Sequence, residues 1–332
     1  MAIIKNYEQR SADMHDTIYK IAKAEIPQES FKNFVDSTIA YRWQAAKSSN
    51  FFNEQLEFYR VKPLYTGLAF LLYKSGFSLT KSTVLPSIVS YFLLGLLVFS
   101  WLAKFLEIKF AFLLSILLMF SSPLMEVAGL PTPDAMAALF VLGGIYGLVE
   151  MKSIWVCYSF LLFAIFTRID NILPCLLILS SMAFVNRWTN RLSLPVCLSM
   201  MSIALVCVTL TPYIFSLHFF RPASFFEHLK PFTDLSSGFS FKSYTSLIKS
   251  QIATGIYYSS LPLFLFLASL LFINTGLKFR LLDSDQVLVL IILLVIFLRF
   301  ILQPAAANRF YIPYYLYIAI LLAKKFAIKI YP

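Results

Sequence analysis

From residue 83 to the end of the chain, long apolar runs follow one another with only short polar connections between them. They lie at 83–103, 110–123, 134–150, 153–168, 170–186, 193–217, 256–274, 286–302 and 311–328. Runs of this kind have few ways to fold. The hydrocarbon core of a bilayer takes roughly 20 apolar residues to cross as a straight helix, and several of these runs are shorter. Lipid offers no hydrogen bonds to an open backbone, which leaves helices or closed barrels, and the period-two alternation of a barrel is absent. The expected fold is an all-α polytopic integral membrane protein. A bundle of about nine transmembrane helices fills 83–332, and an N-terminal segment, 1–82, precedes it.

Composition agrees. Of 332 residues only 14% are charged and 59% are hydrophobic, where a soluble domain carries about 25% charged residues. The 34 Phe and 18 Tyr fit a lipid-facing exterior with aromatic belts at its interfaces. A net charge of +11 could point to nucleic acid. The Lys and Arg fall mainly between apolar runs, however, which is the topogenic pattern and argues for no nucleic-acid partner. Cys157, Cys175, Cys197 and Cys207 sit inside apolar runs without a CxxC pair, so they read as packing residues. Charges punctuate residues 1–30, and no apolar signal-peptide core opens the chain.

Orientation follows from the basic residues of the short connections. One set holds Lys104, Lys109, Lys152, Arg187, Arg191, Lys278, Arg280, Lys324, Lys325 and Lys329; the opposite set holds little beyond Arg168 and Arg309. The positive-inside rule puts the first set in the cytoplasm. Segments 1–82, 123–134, 218–255 and 303–310 then face outward from a multi-pass protein of the cytoplasmic (inner) membrane. The basic residues of the N-terminal segment argue the other way, but long segments count less in the rule. Within that segment, 64–79 is apolar but interrupted by Lys74, as in a re-entrant or interface-lying helix. Phe31, Phe34, Val35, Thr38, Ile39 and Arg42 follow helical spacing, which fits an amphipathic membrane-surface helix or one face of a small soluble domain.

Four outward segments carry ionisable residues, and carboxylates near a bilayer ask for an explanation. Asp13-Met14-His15-Asp16 precedes a helical stripe of Ile18, Ile21 and Ala22. Asp16 is either an ordinary N-cap or a general base at a cavity mouth, and with Asp13 it forms a metal-capable cluster. Ser122-Pro123 leads through Glu126 to Pro133-Asp134, where Asp134 opens the next helix and compensates its dipole. Glu126 has no basic neighbour in its apolar turn. Arg168 and Asp170 form a charged hairpin, and Arg309 opens an aromatic-rich helix, suited to a phosphate beside a lipid tail. There is no P-loop, GxSxG, HExxH or GxGxxG, and three His (His15, His218, His228) are too few for a His-built triad or zinc site. A lipid-borne donor therefore fits better than a soluble nucleotide conjugate.

Taken together, these segments resemble the GT-C superfamily of membrane glycosyltransferases, which includes protein O-mannosyltransferases and aminoarabinose transferases of lipid A. Asp16-Thr-Ile-Tyr19-Lys-Ile-Ala22 is similar to the family's catalytic first loop. Arg60-Val61-Lys62-Pro63-Leu64-Tyr65 looks like its basic-Pro-Leu-Tyr surface helix, Ser122-Pro123 and Pro133-Asp134 like its Ser-Pro turn and acidic helix start. Asn308-Arg309-Phe310-Tyr311-Ile312-Pro313 resembles its Arg-aromatic-Pro helix. The family normally begins with a spanning helix before the catalytic loop and often ends in a large soluble domain, neither of which this sequence shows.

The resemblance implies a GT-C-like bundle that moves a sugar from a polyprenyl-phosphate donor to a glycan, lipid or protein acceptor at the outer face. In that reading Asp16 is the general base, and Asp13 or Glu126 orients the acceptor or holds a divalent metal with Asp16. Asp134 shapes the cavity floor. Arg60, Lys62, Arg168 and Arg309 neutralise the departing phosphate. Tyr19, His228 and Tyr311 contact the acceptor, with Phe225, Phe226 and Tyr244 as further stacking surfaces. The alternative is a polytopic protein without transferase activity: a polysaccharide polymerase, a transporter of lipid-linked intermediates or an inactive relative.

Overall fold

The computed structural model describes residues 14–37, 40–53, 62–184, 241–272, 284–302 and 307–330. Every regular element among them is helical. Among its described residues the N-terminal segment holds α1 (Met14–Glu25), α2 (Gln28–Phe34) and α3 (Ala40–Lys47). Helix α1 buries Met14, Ile18 and Ala22, four residues apart, so one stripe faces inward. Met14 and Ile18 pack with Phe52, Ala69 and Leu79 in a small core of their own. The continuous helix expected over 31–42 is instead two short ones. Val35, Asp36, Thr38 and Ile39 all have modest helix propensity, and α2 stops at Phe34 just before them. Phe34 turns toward α1, with its ring 5.5 Å from that of Tyr19.

Pro63 opens α4 (Pro63–Lys74) at the first helical position, where its missing N–H is no loss. At 12 residues it is roughly 18 Å long, too short to cross a bilayer. Ser78 then caps α5 (Leu79–Leu102) by accepting from the Lys81 amide. With 24 residues and a mean hydropathy of 2.0, α5 is the one helix among the described residues long and apolar enough to cross a membrane alone. Two bent pairs would bring the total to three if each is one span. The first joins α6 (Ile108–Met119) to α7 (Ser122–Gly129) at 66°; the second joins α11 (Phe241–Tyr258) to α12 (Leu261–Leu270) at 73°. The shorter apolar helices are α8 (Asp134–Val149), α9 (Ile154–Thr167) and α10 (Ile172–Phe184), and the chain closes with α13 (Ser284–Leu302) and α14 (Ile312–Ile330).

Most expected runs therefore coincide with one helix to within a few residues, while 193–217 lies outside the described residues. Two expectations change. Residues 123–134 hold the helix α7 in addition to a turn, because Pro123 starts a helix as readily as it makes one stop. The run 256–274 is broken at Ser259–Ser260. Both breaks are secured from elsewhere in the chain. The Tyr91 hydroxyl donates to the Met119 carbonyl (2.5 Å) at the end of α6. Asn308 Oδ1 accepts from the Ser259 hydroxyl and the Ser260 amide, each at 2.8 Å.

Helix α8 is the centre of the bundle, packed on α5, α9 and α14. Its approach to α9 is close because Gly143, Gly144 and Gly147 face that helix. A methyl group there would fall 2.5 Å from the Phe160 ring, 2.7 Å from Leu161 and 2.8 Å from Val156. Small residues at such seams bring two backbones together and maximise packing, which matters most where lipid removes the hydrophobic drive. The turn that follows α8 is tight enough to hold Lys152 at φ 50°.

Candidate functional site: a charged cluster at one end of the bundle

Ion pairs between successive helices show that their ends alternate between two levels. At one level Glu150 meets Trp101 and Lys104, and Asp285 meets Lys324. At the other, the start of α8 meets the α9–α10 turn and the residues just before α14, and that turn meets the end of α13.

Asp134 begins α8, its side chain 2% exposed. A carboxylate there complements the helix dipole. The Thr132 hydroxyl donates to its Oδ2 at 2.8 Å, and Ser87 on α5 holds Thr132 by donating to its carbonyl at 2.8 Å. Helix α9 ends because Arg168 leaves the helical region for an extended conformation (φ −152°, ψ 117°). That conformation turns the Arg168 guanidinium onto two carboxylates. Nη1 donates to Asp134 Oδ1, while Nε and Nη2 grip Asp170 at 2.9 and 2.8 Å in a two-pronged pair.

Asp170 is shared. Arg299, buried near the end of α13, donates to Asp170 Oδ2 and, at 3.3 Å, to Asn171 Oδ1. Asn171 returns its own amide to the Ala164 carbonyl at 3.1 Å, a second bond to an oxygen that already accepts from the Arg168 amide at the end of α9. On the far side Arg309 Nε lies 3.8 Å from Asp134 Oδ2. Among the described residues that buried nitrogen has no hydrogen-bond partner, although a third of the side chain reaches the surface. The Phe310 ring gathers all three guanidinium groups, with Arg168, Arg299 and Arg309 at 4.7, 5.3 and 5.0 Å from its centroid.

Lys62, immediately before α4, faces the same group. Burial, and next the positive charge of Arg168, push its ammonium down to about 7; Asp170 works in the opposite direction and Arg309 adds to the fall. Among the described residues three guanidinium groups thus stand against two carboxylates, with a fourth cationic side chain, Lys62, beside them. A partly buried site with surplus positive charge is suited to an anion, and planar guanidinium groups match phosphate oxygens in particular.

Of the residues singled out in the sequence, Asp134, Arg168, Arg309 and Lys62 come together here, and the buried Tyr311 opens the next helix. Asp16 pairs with a residue other than those of the cluster. Its carboxylate, 75% exposed, pairs with His15 Nδ1 at 2.8 Å, and His15 reaches on to the Ala45 carbonyl at 3.0 Å. Tyr19 packs against the same histidine, 4.8 Å between rings. Glu126 is exposed on α7. Asp13, Arg60, Phe225, Phe226 and His228 lie outside the described residues. The Tyr244 hydroxyl is engaged with the Ile301 carbonyl. Among the described residues no three His, Cys, Asp or Glu side chains converge on a metal site, and Asp13, which the metal expectation joins to Asp16 and Glu126, lies outside them.

Sequence reasoning missed Arg299 and the shared role of Asp170. The signal was present, since an arginine inside the run Val-Ile-Phe-Leu-Arg299-Phe-Ile-Leu is costly in lipid and marks a site by default. Comparison with family models, with curated proteins and with solved structures finds no match for this chain.

Proposed function

We propose that the chain is a polytopic membrane protein whose charged cluster holds the phosphate of a polyprenyl-phosphate sugar, and that it transfers the sugar to an acceptor hydroxyl at the outer face of the cytoplasmic membrane. The observation that carries this reading is the imbalance of three guanidinium groups over two carboxylates around Phe310, with Lys62 adjoining. The topogenic lysines Lys104 and Lys324 occupy the opposite level of the bundle, which supports an outward-facing cluster. The exposed apolar residues of α5 and α6, such as Phe92, Leu96, Phe110 and Leu117, support a lipid-facing exterior.

In the reaction, the acceptor hydroxyl oxygen attacks the anomeric carbon as the bond from that carbon to the phosphate oxygen breaks. The bonding pair leaves with the phosphate, and the hydroxyl proton passes to a base. Charge grows on the phosphate in the transition state, where fixed guanidinium groups stabilise it most. Arg309 makes the first contact, because its side chain is the most open of the three. Asp134 and Asp170 are poor bases, each already bound to arginine. Asp16 keeps the role of base in this proposal, with Glu126 orienting the acceptor.

One observation favours a second reading, in which the phosphate lipid is bound but no sugar moves. Asp16 is paired with His15 in the N-terminal core, apart from the cluster's own ion pairs. The protein in lipid nanodiscs, given labelled polyprenyl-phosphate sugar, separates the two. Transfer that is lost in Asp16→Asn, with binding retained, supports the transferase. Binding without turnover in the unaltered protein supports the second reading, and absence of binding removes both.

A further inference from the structure

Helix α11 (Phe241–Tyr258) falls mostly within the stretch read from sequence as an outward loop, yet it is a regular helix of 18 residues. Its side chains divide among three directions at helical spacing. Tyr244, Leu247, Gln251 and Gly255 form the side that meets protein, with Gly255 buried and Tyr244 bonded to Ile301. Beside it, Phe241, Ile248, Ile252 and Ile256 form an apolar stripe; Phe241, Ile252 and Ile256 are 73%, 47% and 62% exposed. On the remaining side stand Lys242, Ser246, Lys249 and Ser250, all exposed. The helix contains two lysines and no carboxylate.

Its two ends are tied to one level of the bundle. Tyr244 bonds to Ile301, two residues past Arg299, and the serines that follow α11 bond to Asn308, directly before Arg309. Both anchors therefore belong to the end that carries the charged cluster. A helix held this way runs across the bundle end, and the chain then bends by 73° into α12, where Leu263, Leu265 and Phe266 are exposed.

We infer that α11 lies in the plane of the membrane at headgroup depth. Its Phe241–Ile252–Ile256 stripe enters the acyl boundary, and Lys242 and Lys249 sit among anionic phospholipid headgroups. The inference rests on the membrane reading above but not on sugar transfer. Three observations select a bilayer as the occupant of this face. The apolar stripe adjoins the polar side with no acidic residue between them, the lysines complement anionic lipid, and the stripe continues into the exposed apolar surface of α12. Tyr257 and Tyr258, both exposed at the bend, are the amphipathic rings that concentrate at this depth. Through Asn308 the seated helix holds the Asn308–Phe310 turn level with the phosphates of the surrounding lipid.

Benzoylphenylalanine placed singly at positions 252, 256, 246 and 250 of the full chain, in vesicles of phosphatidylcholine with phosphatidylglycerol, tests this by photocrosslinking. Position 92 on α5 serves as the lipid-facing reference. Phospholipid adducts at 252 and 256, several-fold above those at 246 and 250, are expected. Equal adducts at all four positions would mean an immersed span and overturn the in-plane placement. Adducts at 92 alone, or crosslinked dimers at 252, would overturn it as well. Absence of adducts at 92 would instead remove the membrane reading itself. The double substitution Lys242→Gln and Lys249→Gln should lower the phosphatidylglycerol share of adducts at 252 several-fold, and an unchanged share would remove the anionic preference.

Discussion

The two ends of α8 solve the problem of charge beside an apolar bundle in opposite ways. At its C-terminal end Glu150 has one ammonium partner, Lys104 at 3.3 Å, and takes a further bond from the Trp101 indole at 3.0 Å. Lys104 lies over the Tyr146 ring, and 40% of its side chain is exposed. Charge there is balanced, one carboxylate to one ammonium, with Glu150 itself 18% exposed. At the N-terminal end Asp134 and Asp170 are divided among three guanidinium groups, two of which are 11% and 7% exposed. A balanced pair with an exposed lysine needs nothing more and anchors the helix ends. A surplus of buried charge is expensive to keep, so it is retained where something else completes it.

The sharpest way to break this contrast is to remove the shared carboxylate. Asp170→Asn leaves Arg168 and Arg299 facing each other without their common partner. Loss of one member of a buried pair costs roughly 3–5 kcal/mol. The lower end applies here, because 29% of the Asp170 side chain remains exposed. Thermal unfolding in detergent should show this as a large fall in Tm, and a fall no larger than that of a surface substitution would show that the cluster is not buried in the sense argued. Arg309→Ala separates binding from stability at the same end. Arg309 is 3.8 Å from Asp134 and makes no hydrogen bond through Nε, so Tm should barely move. A hydrogen bond to a charged group is worth about 1.5–3 kcal/mol, so affinity for labelled polyprenyl phosphate should fall about 10- to 100-fold. Unchanged affinity would take Arg309 out of the anion site.

The contrast was half legible in the sequence. Apolar runs are local, and α5, α8, α9 and α14 appear in them with little more than end effects to correct. Lys104 of the Glu150 level was legible too as a basic residue in a short connection, though not its pairing with Glu150 46 positions away. Breaks were not. Whether 256–274 is one helix or parts of two depends on Asn308, 48 residues from Ser260, and no local propensity contains that bond. The cluster was legible as separate letters, Asp134, Arg168 and Arg309, each beside its own helix boundary. Its closing residue, Arg299, is 129 positions from Asp170 and looked like part of a span. Asp16 drew attention through its neighbours in sequence, and those neighbours turned out to serve a different small core.

Lys62 offers a gentler probe. Its folded-state value of about 7 lies below the ordinary 10.5, so the folded protein binds fewer protons than the unfolded chain between those values. Stability therefore rises as pH climbs from 7 toward 10.5, and the full penalty of charging Lys62 is present below 7. Ligand affinity has the opposite sign. A sugar phosphodiester keeps a single negative charge across this range, and it attracts the ammonium but not the amine. Affinity should be greatest below pH 7 and weaken above it, with proton uptake on binding near neutral pH. Titration in two buffers of different ionisation enthalpy measures that uptake. Lys62→Gln should abolish it, and persistence in that variant would assign the proton to another group.

Glu150→Gln is the counterpart at the balanced end and should have the smallest effect of all. The amide oxygen can still accept from the Trp101 indole, so what is lost is the attraction to a well-exposed lysine. Such pairs contribute about 0–1 kcal/mol, which leaves only a slight change in Tm and none in lipid-phosphate affinity. The two ends cannot both be right about burial if this variant behaves like Asp170→Asn. A large loss of stability in Glu150→Gln would mean that the Trp101–Glu150–Lys104 group is dry and coupled, and that balance of charge, not exposure, sets the difference between the two levels of the bundle.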